Sequence, residues 1–184
     1  MNAGRIMGGN NTQSERFGGI ARLYGEAGLR ALGQAHVCVV GVGGVGSWTV
    51  EALARSGVGA LTLVDLDEVC VTNVNRQLPA LDGGFGKFKV AELAKRVEAI
   101  NPDCRVAART EFFNDKTGGA LLADGFDFVV DAIDNVGNKA RLIADCRARG
   151  IPVITSGAAG GRRDGTRAEV ADLGKSTNDP LLAK

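Results

Sequence analysis

The sequence predicts an α/β protein with a doubly wound, mainly parallel sheet and helices on both faces. Two patterns support this prediction. Short runs of Val, Leu and Ile alternate along the chain with longer segments in which apolar residues recur every three or four positions. One of the short runs leads into a glycine-rich turn that opens a helix. Alternation of this kind is typical of parallel sheets that are buried on both faces.

Each element follows from its own stretch of sequence. Strands are predicted where β-branched and aliphatic residues occur together, at 37–40, 60–64, 105–108, 126–133 and 151–156. Helices are predicted where apolar residues are three or four apart, at 16–32, 45–56, 88–100, 118–123 and 136–149. A further strand at 167–173 and the first turn of a helix at 179–184 end the sequence. Residues 1–15 are predicted to be a flexible arm, and residues 16–184 one domain.

Composition excludes several classes of protein. The chain has 184 residues, of which 45% are hydrophobic, and a net charge of +1, so no overall field favours nucleic acid or membrane. No run of about 18 apolar residues is present, so no membrane segment is predicted. The four cysteines form no C-x-x-C pair, which argues against zinc and fits a reducing cytoplasm. Cys38, Cys70 and Trp48 are expected to be packing residues.

The turn after the first strand is the strongest functional signal. It reads Gly41-Val-Gly43-Gly44-Val-Gly46, and the next predicted strand leads to Asp65. Glycines let the backbone approach a phosphate closely, and a helix start offers free N–H groups and a partial positive charge. An acidic side chain about 20 residues beyond the turn suits a ribose hydroxyl. Residues 36–67 therefore predict a Rossmann-like nucleotide site.

Three other stretches narrow the class of nucleotide. Asp67 precedes a polar loop that contains Asn73-Val-Asn-Arg76-Gln77, Lys89 opens the next helix, and Asp134-Asn135 follow the strand at 126–133. Because ligands of doubly wound sheets bind at the carboxyl ends of the strands, these residues are expected at one edge. Two cations and two acids suit cleavage of a triphosphate, in which cations neutralise the leaving phosphates and a carboxylate holds Mg²⁺.

With these motifs the chain resembles the E1-like adenylating superfamily (the ThiF, MoeB and HesA type), which includes ubiquitin-activating enzymes and enzymes of the thiamine and molybdopterin pathways. Within it, the stretches at 16–25, 67–73 and 179–184 are most similar to the bacterial tRNA threonylcarbamoyladenosine dehydratases. The resemblance covers residues 16–184 and, in such a protein, only the N-terminal part. The later strands of the family fold are therefore absent from this sequence.

The resemblance implies an ATP site with assigned roles. The glycines would cradle phosphates, and Asp65 would bind the ribose. Arg76 and Lys89 would be catalytic because they stabilise the departing pyrophosphate, and Asp134 would be catalytic as the ligand of Mg²⁺. The implied ATP-binding set is Gly41, Gly43, Gly44, Gly46, Asp65, Asp67, Asn73, Arg76, Gln77 and Lys89, joined by Arg16 or Arg22.

Other implications concern partners. Arg16 or Arg22 would reach the ATP phosphates of a second subunit, so a homodimer is implied. Lys139 stands where the superfamily has an arginine, and the two side chains differ in geometry. The paired C-x-x-C motifs of many relatives are missing, so no zinc is expected.

The implied reaction is an ATP-dependent cyclisation of threonylcarbamoyladenosine in tRNA. The threonine carboxylate would be adenylated and a ring would then close, with net loss of water. Partners would be this tRNA and a sulfur-transfer protein, in the cytoplasm. Two alternatives stay open: adenylation of the C-terminus of a sulfur-carrier or ubiquitin-like protein, and a non-catalytic nucleotide-binding module. An NAD oxidoreductase would explain Asp65 but would leave Arg76, Lys89 and Asp134 without a role.

Overall fold

A computed structural model describes residues 9–176, 179, 181 and 182, with side chains from residue 15 onward. Strands and helices alternate along this part of the chain, as the sequence predicts. In chain order they are α1 (Gly9–Gln34), β1 (His36–Val40), α2 (Gly46–Arg55), β2 (Ala60–Val64), α3 (Lys89–Ile100), β3 (Arg105–Arg109), α4 (Gly118–Leu121), β4 (Phe128–Asp131), α5 (Val136–Arg149) and β5 (Val153–Thr155). Short 3₁₀ turns lie at Val71–Asn73, Leu122–Asp124, Gly165–Arg167 and Leu173–Lys175.

The five strands form one sheet in the order β3-β2-β1-β4-β5, and all four pairings are parallel. The predicted fold class is therefore confirmed. The ends of three central strands are level, because Val40 of β1 pairs with Val64 of β2 and with Asp131 of β4. The loops that leave these strands consequently start from one edge of the sheet.

Alternation along each strand divides the core into two layers. On one face, Val39 of β1 and Leu63 of β2 pack with α2 and α3. On the other face, Val40 of β1 and Val64 of β2 pack with α4 and α5. Successive strand side chains point to opposite faces, so apolar runs such as 37–40 fill both layers. This explains why those runs are continuous rather than alternating in polarity.

The crevice of the sheet lies between β1 and β4. The chain leaves β1 for α2 on one face and leaves β4 for α5 on the other. Loops that diverge to opposite faces open a gap at the carboxyl ends of the two strands, which is where doubly wound folds bind ligands. The glycine turn and Asp134-Asn135 border this gap from its two sides.

The N-terminal region differs from the prediction. The structure extends α1 from residue 34 back to Gly9, so residues 9–15 of the predicted arm are helical, while residues 1–8 lie outside the described residues. The helix is kinked at Gly25, whose φ of 76° and ψ of 165° are not helical. Glycine is the residue type that adopts this backbone readily. The packing of α1 is fixed near Phe17, a buried side chain that lies against Gly57.

The C-terminal region is where the structure differs most from the sequence prediction. The strand predicted at 167–173 is wrong: this stretch holds parts of two 3₁₀ turns and irregular chain between them. Its central apolar residue, Val170, is 90% exposed, so the segment has no face to bury in the sheet. At the predicted helix start, Asp179 accepts hydrogen bonds from the N–H groups of Leu181 and Leu182; residues 180, 183 and 184 lie outside the described residues. No helix in the described ranges is long and apolar enough to cross a membrane.

Candidate nucleotide site

Two glycines of the turn are required by the fold itself. Gly41 has a φ of +84°, and a Cβ at this position would lie 2.8 Å from the carbonyl oxygen of Ala132. A Cβ on Gly46 would overlap the carbonyl oxygen of Gly41. A larger residue at 41 would push the turn away from β4, and a larger residue at 46 would push the two ends of the turn apart. These two glycines therefore hold the turn tightly against the chain that leaves β4.

The other two glycines are not required by the fold. Neither Gly43 nor Gly44 has a positive φ. A Cβ would lie 3.7 Å from Gln77 Nε2 at Gly43 and 3.4 Å from Arg76 Cγ at Gly44, which is ordinary van der Waals contact. Both positions are partly exposed. Glycine is the residue that allows another molecule to approach the backbone here, just before the N-terminus of α2.

Asp65 ties the end of β2 to the turn. Its Oδ2 accepts a hydrogen bond of 2.8 Å from the N–H of Val42, and its Oδ1 accepts one of 2.8 Å from the N–H of Asp67. The residue is only 8% exposed. A carboxylate that accepts two backbone N–H groups is held in one orientation. The structure thus brings Asp65 to the glycine turn, and its role at a ribose stays a prediction.

Asp67 and Lys89 form an ion pair at the same edge. Lys89 Nζ lies 2.8 Å from Asp67 Oδ2, and the lysine side chain is only 6% exposed. The N–H of Lys89 also donates to the carbonyl of Asp67. A cation at the first residue of α3 opposes the helix dipole, and the carboxylate of Asp67 offsets this. The two predicted residues are therefore one unit, with Asp67 on the solvent side.

The polar loop after β2 places Asn73, Arg76 and Gln77 beside the turn. Asn73 is buried, and its Oδ1 accepts from the N–H of Cys70. The exposed Arg76 donates from Nη1 to the carbonyl of Thr72 at 3.0 Å, and its aliphatic carbons lie over Gly44. Gln77 is also buried, and its Oε1 has no hydrogen-bond partner among the described residues. Only a donor can satisfy this oxygen, so it does not by itself indicate a phosphate, and Asn101 Oδ1 at the far end of α3 is unpartnered in the same way within the described part of the chain.

Trp48 was expected to pack α2 against the sheet, and that prediction is wrong. Its side chain is 56% exposed, and its Nε1–H donates to the carbonyl of Arg76 at 3.0 Å. Trp48 lies in the first turn of α2, directly after the glycines, so its indole fastens the Arg76 loop to the helix. Sequence reasoning missed this contact because the loop between β2 and α3 is long and its path is not readable from periodicity.

Asp134 lies on the opposite side of the crevice. It is exposed in the short connection 132–135 that joins β4 to α5. Asn135 is the N-cap of α5, and its side chain accepts from the N–H of Asn138. No group of three or more His, Cys, Asp or Glu suited to a metal occurs within the described residues. A single exposed carboxylate is instead the donor set that suits Mg²⁺ shared with phosphates.

Lys139 does not face the crevice. Its side chain is 3% exposed, and its Nζ lies 2.8 Å from Asp131 Oδ2. The sequence leaves open whether Lys139 makes the contact of the arginine that it replaces, and in the structure its ammonium is buried against Asp131 instead. The spacing of the sequence indicates this burial, because Lys139 shares a helix face with the buried Leu142 and Cys146, which are three and seven residues further on.

Arg16 and Arg22 lie on α1, and Arg16 is held away from the turn of its own chain. Arg16 Nη1 donates to the carbonyl of Ile100 at 2.8 Å. Ile100 ends α3, a helix that begins at the site with Lys89 and runs back across the sheet, so Arg16 is at the opposite edge. The guanidinium of Arg22 lies over Gly18 and Gly19 of its own helix. Their role in a second subunit stays a prediction.

The cysteines fall into two groups. Burial raises the pKa of Cys38 to about 12 and that of Cys104 and Cys146 to about 11. Cys70 is exposed, so the expectation that it is a core residue is wrong. Thr72 Oγ1 donates to Cys70 Sγ at 3.3 Å, and this hydrogen bond lowers the pKa of the Cys70 thiol.

Comparisons with known proteins agree with this geometry. The family model described as the ThiF family matches residues 18–170. The tRNA threonylcarbamoyladenosine dehydratase of Haemophilus influenzae is 53% identical over 179 residues, which are 97% of this chain and 69% of that protein. The enzyme of the same name from Escherichia coli is 52% identical over 92% of this chain and 63% of its own length. This chain thus spans roughly two-thirds of both relatives.

A solved structure extends the likeness to three dimensions. The crystal structure of the E. coli tRNA N6-threonylcarbamoyladenosine dehydratase TcdA in complex with ATP has a TM-score of 0.92 to this chain at 49% identity. The superposition covers 97% of this chain and 73% of that one.

Proposed function

Because the chain belongs to the ThiF family, we propose that it carries the ATP site of a tRNA threonylcarbamoyladenosine dehydratase. In this proposal residues 16–184 are the ATP-binding domain. Support comes from the named relatives, one of which is solved with ATP, and from the edge at which the motif residues lie. The observation that carries the proposal is the pair Gly43 and Gly44, which the fold does not need as glycines and which lie beside Gln77 and Arg76, respectively.

The proposed chemistry begins with adenylation. One oxygen of the threonine carboxylate attacks the α-phosphorus of ATP, the bond to the bridging oxygen breaks, and pyrophosphate leaves. Arg76 and Lys89 offset the negative charge that grows on the leaving phosphates. Asp65 holds the ribose, while the turn, Asn73 and Gln77 hold the phosphates. These residues act by position and charge, so no enzyme nucleophile is required.

Ring closure completes the proposed reaction. An atom of the same threonylcarbamoyl group attacks the activated carbonyl, AMP leaves, and a proton is released. The net change in the base is loss of water, with ATP converted to AMP and pyrophosphate.

Asp134 is the proposed ligand for Mg²⁺. Its exposed carboxylate in the connection 132–135 faces solvent at the crevice, and the remaining ligands would be phosphate oxygens and waters. The ion supplies positive charge to the phosphates when it is bound. Because Asp67 is paired with Lys89, its proposed role is to hold that lysine in position and not to bind the metal.

The proposed partners follow from the substrate. The RNA substrate is a tRNA that carries threonylcarbamoyladenosine, which is expected in the cytoplasm. A homodimer is proposed because the resemblance implies that Arg16 or Arg22 reaches the phosphates of a second subunit, and because Arg16 is held away from the turn of its own chain. A sulfur-transfer protein remains a proposed partner on the basis of family resemblance alone.

The test is a reaction with tRNA that carries the modified base. The purified protein is incubated with this tRNA, ATP and Mg²⁺, and digested nucleosides are analysed by mass spectrometry. We expect a nucleoside whose mass is lower by one water molecule. One pyrophosphate should be released from ATP for each such nucleoside formed. Arg76→Ala and Lys89→Ala should each lower turnover at least about 100-fold, whereas Arg55→Ala, which removes an exposed cation of α2 away from the site, should not. Wild-type turnover in both site variants would refute the assigned roles.

Two control reactions separate the alternatives. Pyrophosphate release with a sulfur-carrier protein instead of tRNA would favour activation of a protein C-terminus. Binding of ATP without turnover of either substrate would favour a non-catalytic module. Calorimetric titration with NAD in place of ATP tests the oxidoreductase, for which we expect no binding.

A further inference from the structure

A buried charge pair lies beneath the crevice, outside the set of residues assigned to ATP. Lys139 of α5 and Asp131 at the end of β4 have side chains that are 3% and 0% exposed, with Nζ and Oδ2 2.8 Å apart. Thr155 of β5 completes the cluster: its hydroxyl donates to Asp131 Oδ2 at 2.7 Å and accepts from Lys139 Nζ at 2.9 Å. We refer to these three residues as the Lys139 cluster.

Stability alone does not account for this cluster. Removing two charges from water is costly, and a well-packed apolar pair in place of a buried ion pair is often neutral or stabilising. The surrounding layer is apolar and includes Leu142 and Cys146 of the same helix face, so an apolar residue at 139 would suit the core. A buried polar cluster does, however, fix one geometry strongly, because any other arrangement leaves a charge unpaired.

The geometry that the cluster fixes is that of the connection 132–135. Asp131 uses its second oxygen, Oδ1, to accept from the N–H of Ile133 at 3.0 Å, which starts the turn. The main chain of Lys139 holds the other end, since its N–H donates to the carbonyl of Asn135 at 2.9 Å. The Lys139–Asp131 contact therefore joins the two ends of the segment that contains Asp134.

The same segment meets the glycine turn. The N–H of Ala132 donates to the carbonyl of Val40 at 2.9 Å, and the carbonyl of Ala132 lies where a side chain on Gly41 would be. A shift of the connection would therefore change the position of Asp134 relative to the glycine turn.

We propose that Lys139 is a positioning residue that fixes the connection 132–135 and so places Asp134 for the metal-bound phosphates. This inference rests on the proposed function, in which Asp134 holds Mg²⁺. In this role Lys139 acts without touching phosphate, because its ammonium is buried and turned towards Asp131. Direct partners of metal ligands commonly change metal affinity by about 10–100-fold when they are removed; Lys139 acts through the backbone of 132–135, so we expect an effect at the lower end of this range.

The test separates positioning from general loss of structure by comparing three ligands. Calorimetry measures the affinity for AMP, for ATP with a chelator, and for ATP with Mg²⁺. Lys139→Met keeps the length of the side chain and removes its charge. Thr155→Val removes the hydroxyl that bonds both Lys139 Nζ and Asp131 Oδ2, so it loosens the cluster while both charges remain. Arg96→Met is the matched control, because it breaks the Arg96–Glu51 ion pair between α2 and α3, away from the connection.

The Mg²⁺ gain is the ratio of the ATP affinity with Mg²⁺ to the ATP affinity with a chelator. We expect this ratio to be about tenfold smaller in Lys139→Met than in the wild type. The AMP affinity should change by less than about twofold. Thr155→Val should lose less of that gain, and Asp134→Ala should lose it fully. Arg96→Met should lower thermal stability and leave the gain unchanged. If Lys139→Met does not fold, Thr155→Val alone decides: an unchanged Mg²⁺ gain overturns the proposal.

Other outcomes are equally informative. Equal losses for AMP and for ATP with Mg²⁺ in Lys139→Met would mean that Lys139 has a purely structural role. A wild-type protein that does not bind ATP would instead overturn the proposed function, so the two failures are distinguishable.

Discussion

Substitutions at Gly44 and Gly46 should separate binding from stability. In Gly44→Ala the new methyl lies 3.4 Å from Arg76 Cγ and fits the protein, so the free energy of unfolding should change by less than about 1 kcal/mol. The same methyl stands in the path of a phosphate, and we expect ATP affinity to fall at least about tenfold, or about 1.4 kcal/mol. In Gly46→Ala the methyl overlaps the carbonyl of Gly41, and the backbone must move. Overpacking of this kind costs about 1–3 kcal/mol, which lowers Tm by roughly 2–12 °C in a chain of this size.

The assay is thermal unfolding together with calorimetric titration of ATP and Mg²⁺ on both variants. Gly165→Ala is a suitable control, because a Cβ there meets open space at an exposed turn far along the chain. The reasoning would be refuted by a Gly44→Ala protein that binds ATP like the wild type. Equal loss of stability in the Gly44 and Gly46 variants would refute it as well.

Three further predictions use single contacts of the site. Trp48→Phe removes the hydrogen bond to Arg76; urea unfolding should show a loss of about 0.5–1.5 kcal/mol, and ATP affinity should fall while AMP affinity does not. Asp65→Asn turns an amide N–H₂ towards a backbone N–H and should cost about 1–3 kcal/mol in urea unfolding with weaker AMP binding; unchanged AMP affinity would exclude a ribose role. Iodoacetamide should modify one thiol of the native protein, that of Cys70, because its lowered pKa enlarges the thiolate fraction at a given pH. The rate should fall as pH drops below that pKa, Cys70→Ser should abolish labelling, and labelling of the native protein at other positions would contradict the burial of Cys38, Cys104 and Cys146.

The parts of the fold that could be predicted are those that depend on local periodicity. The helix predicted at 136–149 and the strand predicted at 60–64 match α5 and β2 at both ends. In each case a continuous apolar pattern is bounded by a residue that cannot continue it, such as Gly150, which ends α5 with a φ of 69°. Where the pattern is weak, as at 167–173, propensity alone predicted a strand that has no buried face.

The candidate site divides in the same way. Residues at strand ends, such as Asp65 and Asp134, could be placed at one edge from topology alone, because parallel strands align their carboxyl ends. The contacts made by the loop between β2 and α3 could not be predicted in this way. The path of this loop depends on the tertiary packing of Asn73 and Gln77 and not on the spacing of residues in the sequence. Hence Cys70 and Trp48 were both expected in the core and are both exposed.

Lys139 shows that the charge of a side chain does not predict whether it lies at the site or in the core unless its ion-pair partner is known. A lysine five positions after Asp134 suggests a phosphate contact if only its charge is considered. Its position on the helix gives the opposite answer, because it lies on the buried face of α5 and needs a carboxylate within reach. Asp131 meets that need, as the last residue of β4 on the side that α5 covers. The pairing of a core-face lysine with a strand-end aspartate is thus readable once the sheet order is known, and it connects the core of this domain to the carboxylate that we assign to Mg²⁺.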